Sequence, residues 1–204
     1  MIRAIVVSML ALLLPTGPAF ADRVVVLVKD GITVEEEARP DSDLPVLTGT
    51  TQMTATPARI AAWINAPHTF TEWQHNCDEA RFVTGPNGDQ FTYNRIASPW
   101  PVSDRDVVMK SERTDRDDGG IRIVFRSTDD VNVPVPSGAV RMARLVGSYT
   151  LKPVDGGTQV VYTVDSDPGG SLPGWLVRQA AKDLPYFTLK NLRARAELGP
   201  PPEA

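Results

Sequence analysis

Between residues 107 and 127 the chain alternates with a period of two on both sides of a short polar turn, and this pattern restricts the fold more than any other feature. Val107, Met109 and Ser111 fall on one side of the first run, with Lys110 and Glu112 on the other. After Asp115-Arg116-Asp117-Asp118-Gly119-Gly120, the residues Ile121, Ile123 and Phe125 alternate with Arg122, Val124 and Arg126. Successive side chains of a strand point to opposite faces, so the two runs make an antiparallel hairpin whose odd positions turn inward. A sheet with one largely uncharged face needs another layer to cover it.

Similar runs lie on either side. Arg23 to Val28 and Ile32 to Ala38 are β-branched stretches around an Asp30-Gly31 turn, and Pro45 to Thr54 is a further strand rich in threonine. Ala80 to Val83 and Gln90 to Ile96 flank an Asn87-Gly88 turn, and Val140 to Leu151 is joined to Thr158 to Asp165 by a loop ending in Gly156-Gly157. Only two stretches change to helical spacing. Thr56-Pro57 caps a short helix carrying Ile60, Trp63 and Ile64, and residues 68 to 73 add one more turn. After Asp167-Pro168-Gly169-Gly170-Ser171 comes a long helix with Leu172, Trp175, Leu176, Ala180, Leu184 and Phe187 along one side, bent at Pro185 and fraying after Leu192. Seven or eight strands with local connections and one long terminal helix give an α+β antiparallel architecture.

The ends fall outside this pattern. Arg3, the apolar run Ile5 to Leu14 and the small-x-small site Ala19-Phe20-Ala21 read as a secretory signal peptide over residues 1–21, too short in its apolar part to span a bilayer. The expected location is therefore the periplasm. The domain covers 22–196, and the proline-rich 197–204 is expected to be a disordered tail. Counting the whole chain, 21 basic residues face 25 acidic ones for a net charge of −4, which argues against nucleic acid as a partner. Cys77 is the one cysteine, so no internal disulfide forms, and its neighbours His75 and His68 are too few for a metal site. No metal and no cofactor are expected.

Four blocks carry a resemblance. The string Pro99-Trp100-Pro101-Val102-Ser103-Asp104-Arg105-Asp106 resembles the signature of bacterial relatives of the START family. Trp73 with Cys77-Asp78-Glu79-Ala80-Arg81 precedes it, while Gly147-Ser148-Tyr149-Thr150-Leu151 and Asp167 to Val177 follow it in the family's order. The resemblance implies the helix-grip fold, a curved antiparallel sheet wrapped around the terminal helix with an internal apolar cavity. It also implies a lipid or other hydrophobic small molecule as partner, with transient membrane contact. Some animal sterol carriers of the family have a buried arginine at the position of Ser111, so their sterol preference does not transfer.

Candidate ligand contacts are the large inward groups Trp73, Met109, Ile123, Phe125, Tyr149 and Tyr162, interleaved with small Ala143, Gly147 and Ala180 that leave space. On the terminal helix Leu176 and Leu184 join Ala180. Polar wall candidates are Ser111, Arg141, Thr163, Gln179 and Asp183, with Tyr93 and Tyr149 as hydroxyl donors. Asp104, Arg105 and Asp106 are expected to form a structural clamp at the start of their strand, with Trp100 wedged under the sheet edge. The loop from Thr128 to Ala139 reads either as a crossover or as a lip over the ligand opening. Three functions fit: a carrier without chemistry, an enzyme resembling the polyketide cyclases and hydratases of this fold, or a protein-binding module using the edge strand Val24 to Val28. With two histidines and no paired catalytic motif, the chain is not expected to be an enzyme.

Overall fold

The computed structural model describes residues 23–40 and 42–203, so the expected signal peptide lies outside the described residues. The strands are β1 (Arg23–Lys29), β2 (Ile32–Arg39), β3 (Ser42–Met53), β4 (Cys77–Thr84), β5 (Gln90–Ile96), β6 (Asp104–Asp115), β7 (Ile121–Ser127), β8 (Ala139–Arg141), β9 (Arg144–Val154) and β10 (Gly157–Asp167). The helices are α1 (Pro57–Ile64), α2 (Phe70–Trp73) and α3 (Gly174–Leu198), with one 3-10 turn at Pro67–Thr69. The sheet runs β1-β2-β3-β10-β9-β7-β6-β5-β4 and does not close on itself. Ten strands thus replace the expected seven or eight. The stretch read as one strand from Val140 divides in two, because β8 pairs in parallel with Asp104 to Asp106 of β6 before the chain turns to run antiparallel to β7.

Local chemistry accounts for the turns. Asp30 and Gly31 both take positive φ, the backbone a two-residue hairpin requires. The Thr56 side chain accepts the Arg59 N–H at 3.3 Å, and Pro57 occupies the first helical position where no donor is needed.

The core lies between the concave face of the sheet and the C-terminal half of α3. Tyr186, Leu189, Leu192 and Ala196 are buried there against Ile32, Val34, Val160 and Tyr162, and Ile60 and Trp63 of α1 close one end. Gly49 lets α3 approach β3: a Cβ at that position would stand 2.7 Å from Leu189 Cδ1 and 3.0 Å from Pro185 Cβ. Tyr186 donates its hydroxyl to Asp30 at 2.6 Å, and Arg193 donates to the Asp30 carbonyl, which fastens the first hairpin to the helix.

Two readings of α3 change. The side packed into the core is a later set, Tyr186 to Ala196, and Trp175 of the expected stripe is 48% exposed. The helix also continues to Leu198 instead of fraying after Leu192, since Ala196 is fully buried and Arg195 pairs with Glu72. In the segment read as a tail, the Gly199 carbonyl accepts from the Trp63 indole at 2.8 Å and the Pro202 carbonyl from His68 at 3.0 Å.

Candidate functional site

One cavity lies between the sheet and the N-terminal half of α3, and a second lies beneath α1 and α2. The larger, about 730 Å3, lies under residues 172–187, where Leu172, Leu176, Val177, Ala180, Leu184 and Phe187 face Leu44, Leu47, Ile96 and Met142. Its polar rim includes His75, Ser98, Arg105, Gln179 and Asp183. The smaller, about 300 Å3, lies beneath α1 and α2 and is lined by Ile64, Phe70 and Trp73 opposite Thr92, Met109, Ser111, Ile123, Phe125 and Tyr149. Both volumes fall within the range of small-molecule sites; the larger is mainly apolar, and the smaller is mixed, with Asn65, Gln74, Gln90, Thr92 and Ser111 among its lining.

The expected contacts therefore divide. Trp73, Met109, Ser111, Ile123, Phe125 and Tyr149 border the smaller cavity, and Leu176, Ala180, Asp183 and Leu184 border the larger. Tyr162 sits behind the wall, its ring stacked on Tyr149 at 4.6 Å. Burial raises both phenols above their ordinary range. Gly147 does not open space for a ligand, because Phe125 fills it: a Cβ there would meet the Phe125 ring at 2.3 Å.

Tyr93 and Arg141 lie on the opposite face of the sheet. Tyr93 packs with Phe91, Val108 and Val133 in a second apolar cluster, with the Arg81 guanidinium 4.7 Å from its ring centre. Arg141 makes a two-bond fork with Asp106 at 2.9 Å each and donates to the Val133 carbonyl at 2.8 Å. The loop from Thr128 to Ala139 is thereby held on the outer face, and none of its residues borders either cavity.

The proline-flanked motif has two parts. Arg105 donates to the carbonyls of Ser103, Pro168 and Gly169, joining the start of β6 to the turn before α3 while also bordering the larger cavity. Asp104 accepts from the Ser98 N–H and from Arg95, and these bonds hold its carboxyl below the usual carboxylate range. Trp100 is not a wedge under the sheet. It is 92% exposed, because the prolines on either side carry it outward at the tip of the loop.

Sequence reasoning missed His75, Leu47, Ile96 and Met142 as wall residues. His75 stacks on Phe187 at 5.0 Å with ring planes 18° apart, and burial lowers its pKa against the pull of Asp183. The Cys77 thiol is buried and pushed up to about 12, chiefly by desolvation, which makes it an inert core group.

Comparison with known proteins follows the same geometry. The family model of the START domain matches residues 32–199. An uncharacterised protein of Pseudomonas aeruginosa is 35% identical over 170 residues, 83% of this chain and 84% of the other. The human phosphatidylcholine transfer protein is 33% identical over 114 residues, 53% of each chain, so that match reaches only about half of the relative. The STAR-related lipid transfer protein of Xanthomonas axonopodis, a solved structure, superposes with a TM-score of 0.76 at 28% identity over 85% of this chain and 98% of that one. Human StAR-related lipid transfer protein 5 gives a TM-score of 0.76 at 16% identity over 90% of this chain and 89% of that one, a likeness of fold.

Proposed function

The chain belongs to the START domain family, and from that membership we propose that it is an exported carrier that holds one lipid beside α3 and releases it unchanged. The observation that carries this reading is the apolar cavity of about 730 Å3 between α3 and the sheet. Close-packed interiors do not leave such volume unfilled without loss of contacts. Each methylene moved into it from water gains about 0.8 kcal/mol, so about ten of them offset the ordering costs of binding a chain. The leader-like residues 1–21 support export, and on this reading the protein works in the periplasm.

Membrane contact forms part of the proposal. Trp100 projects beside Pro99, which borders the larger cavity, and half-exposed Trp175 precedes Leu176, which borders it too. Tryptophan favours the membrane–water boundary, so these two rings suit a surface that touches a bilayer near the cavity. One observation favours a second reading, an enzyme: His75 and Asp183 both border the larger cavity.

One experiment addresses all three points. Protein purified without detergent is incubated with phospholipid vesicles, examined by native mass spectrometry, and assayed for transfer of labelled lipid to acceptor vesicles. The carrier reading expects one lipid per chain, recovered at its original mass. It also expects transfer in Trp100→Ser to be at least fivefold slower with the bound fraction unchanged. A protein that takes up no lipid would overturn carriage, and a ligand recovered with altered mass would favour the enzyme.

A further inference from the structure

A partition with a polar centre lies between the two cavities. On the inner face of β5, Thr92 borders the smaller cavity and Ile96 the larger, with Asn94 between them. On β6, Met109 borders the smaller cavity and Arg105 the larger. Val107, paired in register with Asn94, is buried between those two. After α2 the chain crosses the same boundary in one step, since Gln74 borders the smaller cavity and His75 the larger. Asn94 Nδ2 donates to Gln74 Oε1 at 2.8 Å, and the His75–Phe187 stack stands on the side of the larger cavity.

This partition is incomplete as a hydrogen-bonded structure. Asn94 is only 1% exposed, yet no donor among the described residues reaches its Oδ1. A buried carboxamide normally satisfies both ends, and one left half-satisfied directly behind Gln74, which borders the smaller cavity, is a group that a ligand displacing Gln74 would meet. Gln74, only half-buried and held by that single bond, is free to turn away.

We propose that Asn94 is a specificity residue that selects lipids with a hydrogen-bond donor in the linkage between head and chains, an amide N–H or a free hydroxyl. With Gln74 turned aside, such a lipid lies across both cavities. Its N–H or O–H donates to Asn94 Oδ1, while Nδ2 donates to the ligand's carbonyl oxygen. A secondary amide is the complement of the Asn94 carboxamide in this arrangement. A diester-linked lipid brings acceptors alone, loses the Asn94–Gln74 bond and leaves Oδ1 unmet. A site built around a polar partner discriminates strongly against a ligand lacking it. The inference rests on the carrier reading and sharpens it.

The test uses sphingomyelin and phosphatidylcholine of matched chain length, which share a headgroup and differ in that the first carries an amide N–H and a hydroxyl where the second has two esters. Vesicles of each are offered to the intact protein and to Asn94→Leu, and the bound lipid is weighed by native mass spectrometry. The wild-type protein is expected to take up sphingomyelin about tenfold better, a ratio equal to about 1.4 kcal/mol. In Asn94→Leu the ratio should fall to about one through loss of sphingomyelin uptake, with phosphatidylcholine uptake retained. Equal uptake of both lipids by the wild type, or a preference that survives Asn94→Leu, overturns the role of Asn94 and leaves carriage standing. Uptake of neither overturns carriage and this inference together. If Asn94→Leu fails to fold, Gln74→Leu, at a half-buried position, serves in its place and is expected to raise uptake of sphingomyelin.

Discussion

Arg141→Met is expected to lower the free energy of unfolding by about 3 kcal/mol, the low end of what is measured when one member of a buried ion pair is removed. The carboxylate of Asp106 is fully buried, and Arg141 meets both of its oxygens at 2.9 Å. The arginine side chain keeps 27% of its surface exposed, which moderates the cost. Removing it leaves a carboxylate without its cation and detaches the Val133 carbonyl, so the strap over Phe91, Tyr93 and Val108 loses its clip. The measurement is urea unfolding followed by tryptophan fluorescence. A loss below about 1 kcal/mol would show that Asp106 is met by water instead. The double variant Asp106→Leu with Arg141→Met should recover most of the stability, because an apolar pair in place of a buried ion pair is often neutral or better. Neither residue borders a cavity, so lipid uptake by Arg141→Met at a temperature where it is folded should equal that of the wild type.

Sequence and structure part at the outer face of the sheet, where Arg141 lies. Alternation identifies an inner face only when the outer face meets water. It does so for β7, where Ile121 and Ile123 are buried and Arg122 is exposed, and there the reading and the structure agree. On β5 both faces are buried, the outer one by the strap from Thr128 to Arg141, and the pattern inverts: the apolar Phe91 and Tyr93 point outward while Thr92 and Asn94 point in. Tyr93, a candidate for the cavity wall by its hydroxyl, therefore faces the covered outer side. Asn94, with no apolar signal, gave no sign of its position. Arg141 was misplaced for a related reason, since the short parallel pairing of β8 with β6 has no local sequence mark.

Trp100 shows the opposite failure. Large aromatics are usually buried, and only the proline on each side, which carries the ring away from the sheet, distinguishes this one. The motif around it was nevertheless legible. Arg105 serves both as clamp and as part of the cavity rim because β6 begins where the turn before α3 crosses it. The terminal helix is legible as an element and in the facing of its first turns, where Leu176, Ala180, Leu184 and Phe187 all border the larger cavity, but not in its last turns. Its first three turns cover a cavity and its last turns a core, so no single stripe runs its whole length.

That division of α3 makes Ala180→Trp the sharpest test of where the cargo lies. Leu176, Ala180, Asp183 and Leu184 fall at helical spacing on the side that borders the larger cavity, opposite Leu47, Ile96 and Met142. Ala180 itself is exposed, so replacing it displaces no packed neighbour, and the buried anchors Tyr186, Leu189, Leu192 and Ala196 lie about two to four turns further on. The substitution should therefore change stability by about 0.5 kcal/mol or less, a shift of about 2 °C in Tm for a chain of this size. An indole laid across the cavity takes the volume the lipid chains need, and affinity depends on that burial at about 0.8 kcal/mol per methylene. Losing even two or three methylenes from contact corresponds to at least a tenfold fall in bound lipid. The expected result is a folded protein with an unchanged melting curve and little lipid adduct by native mass spectrometry. Unchanged uptake would mean that the cargo does not lie under the first turns of α3, and the larger cavity would then have to be given up as the binding site.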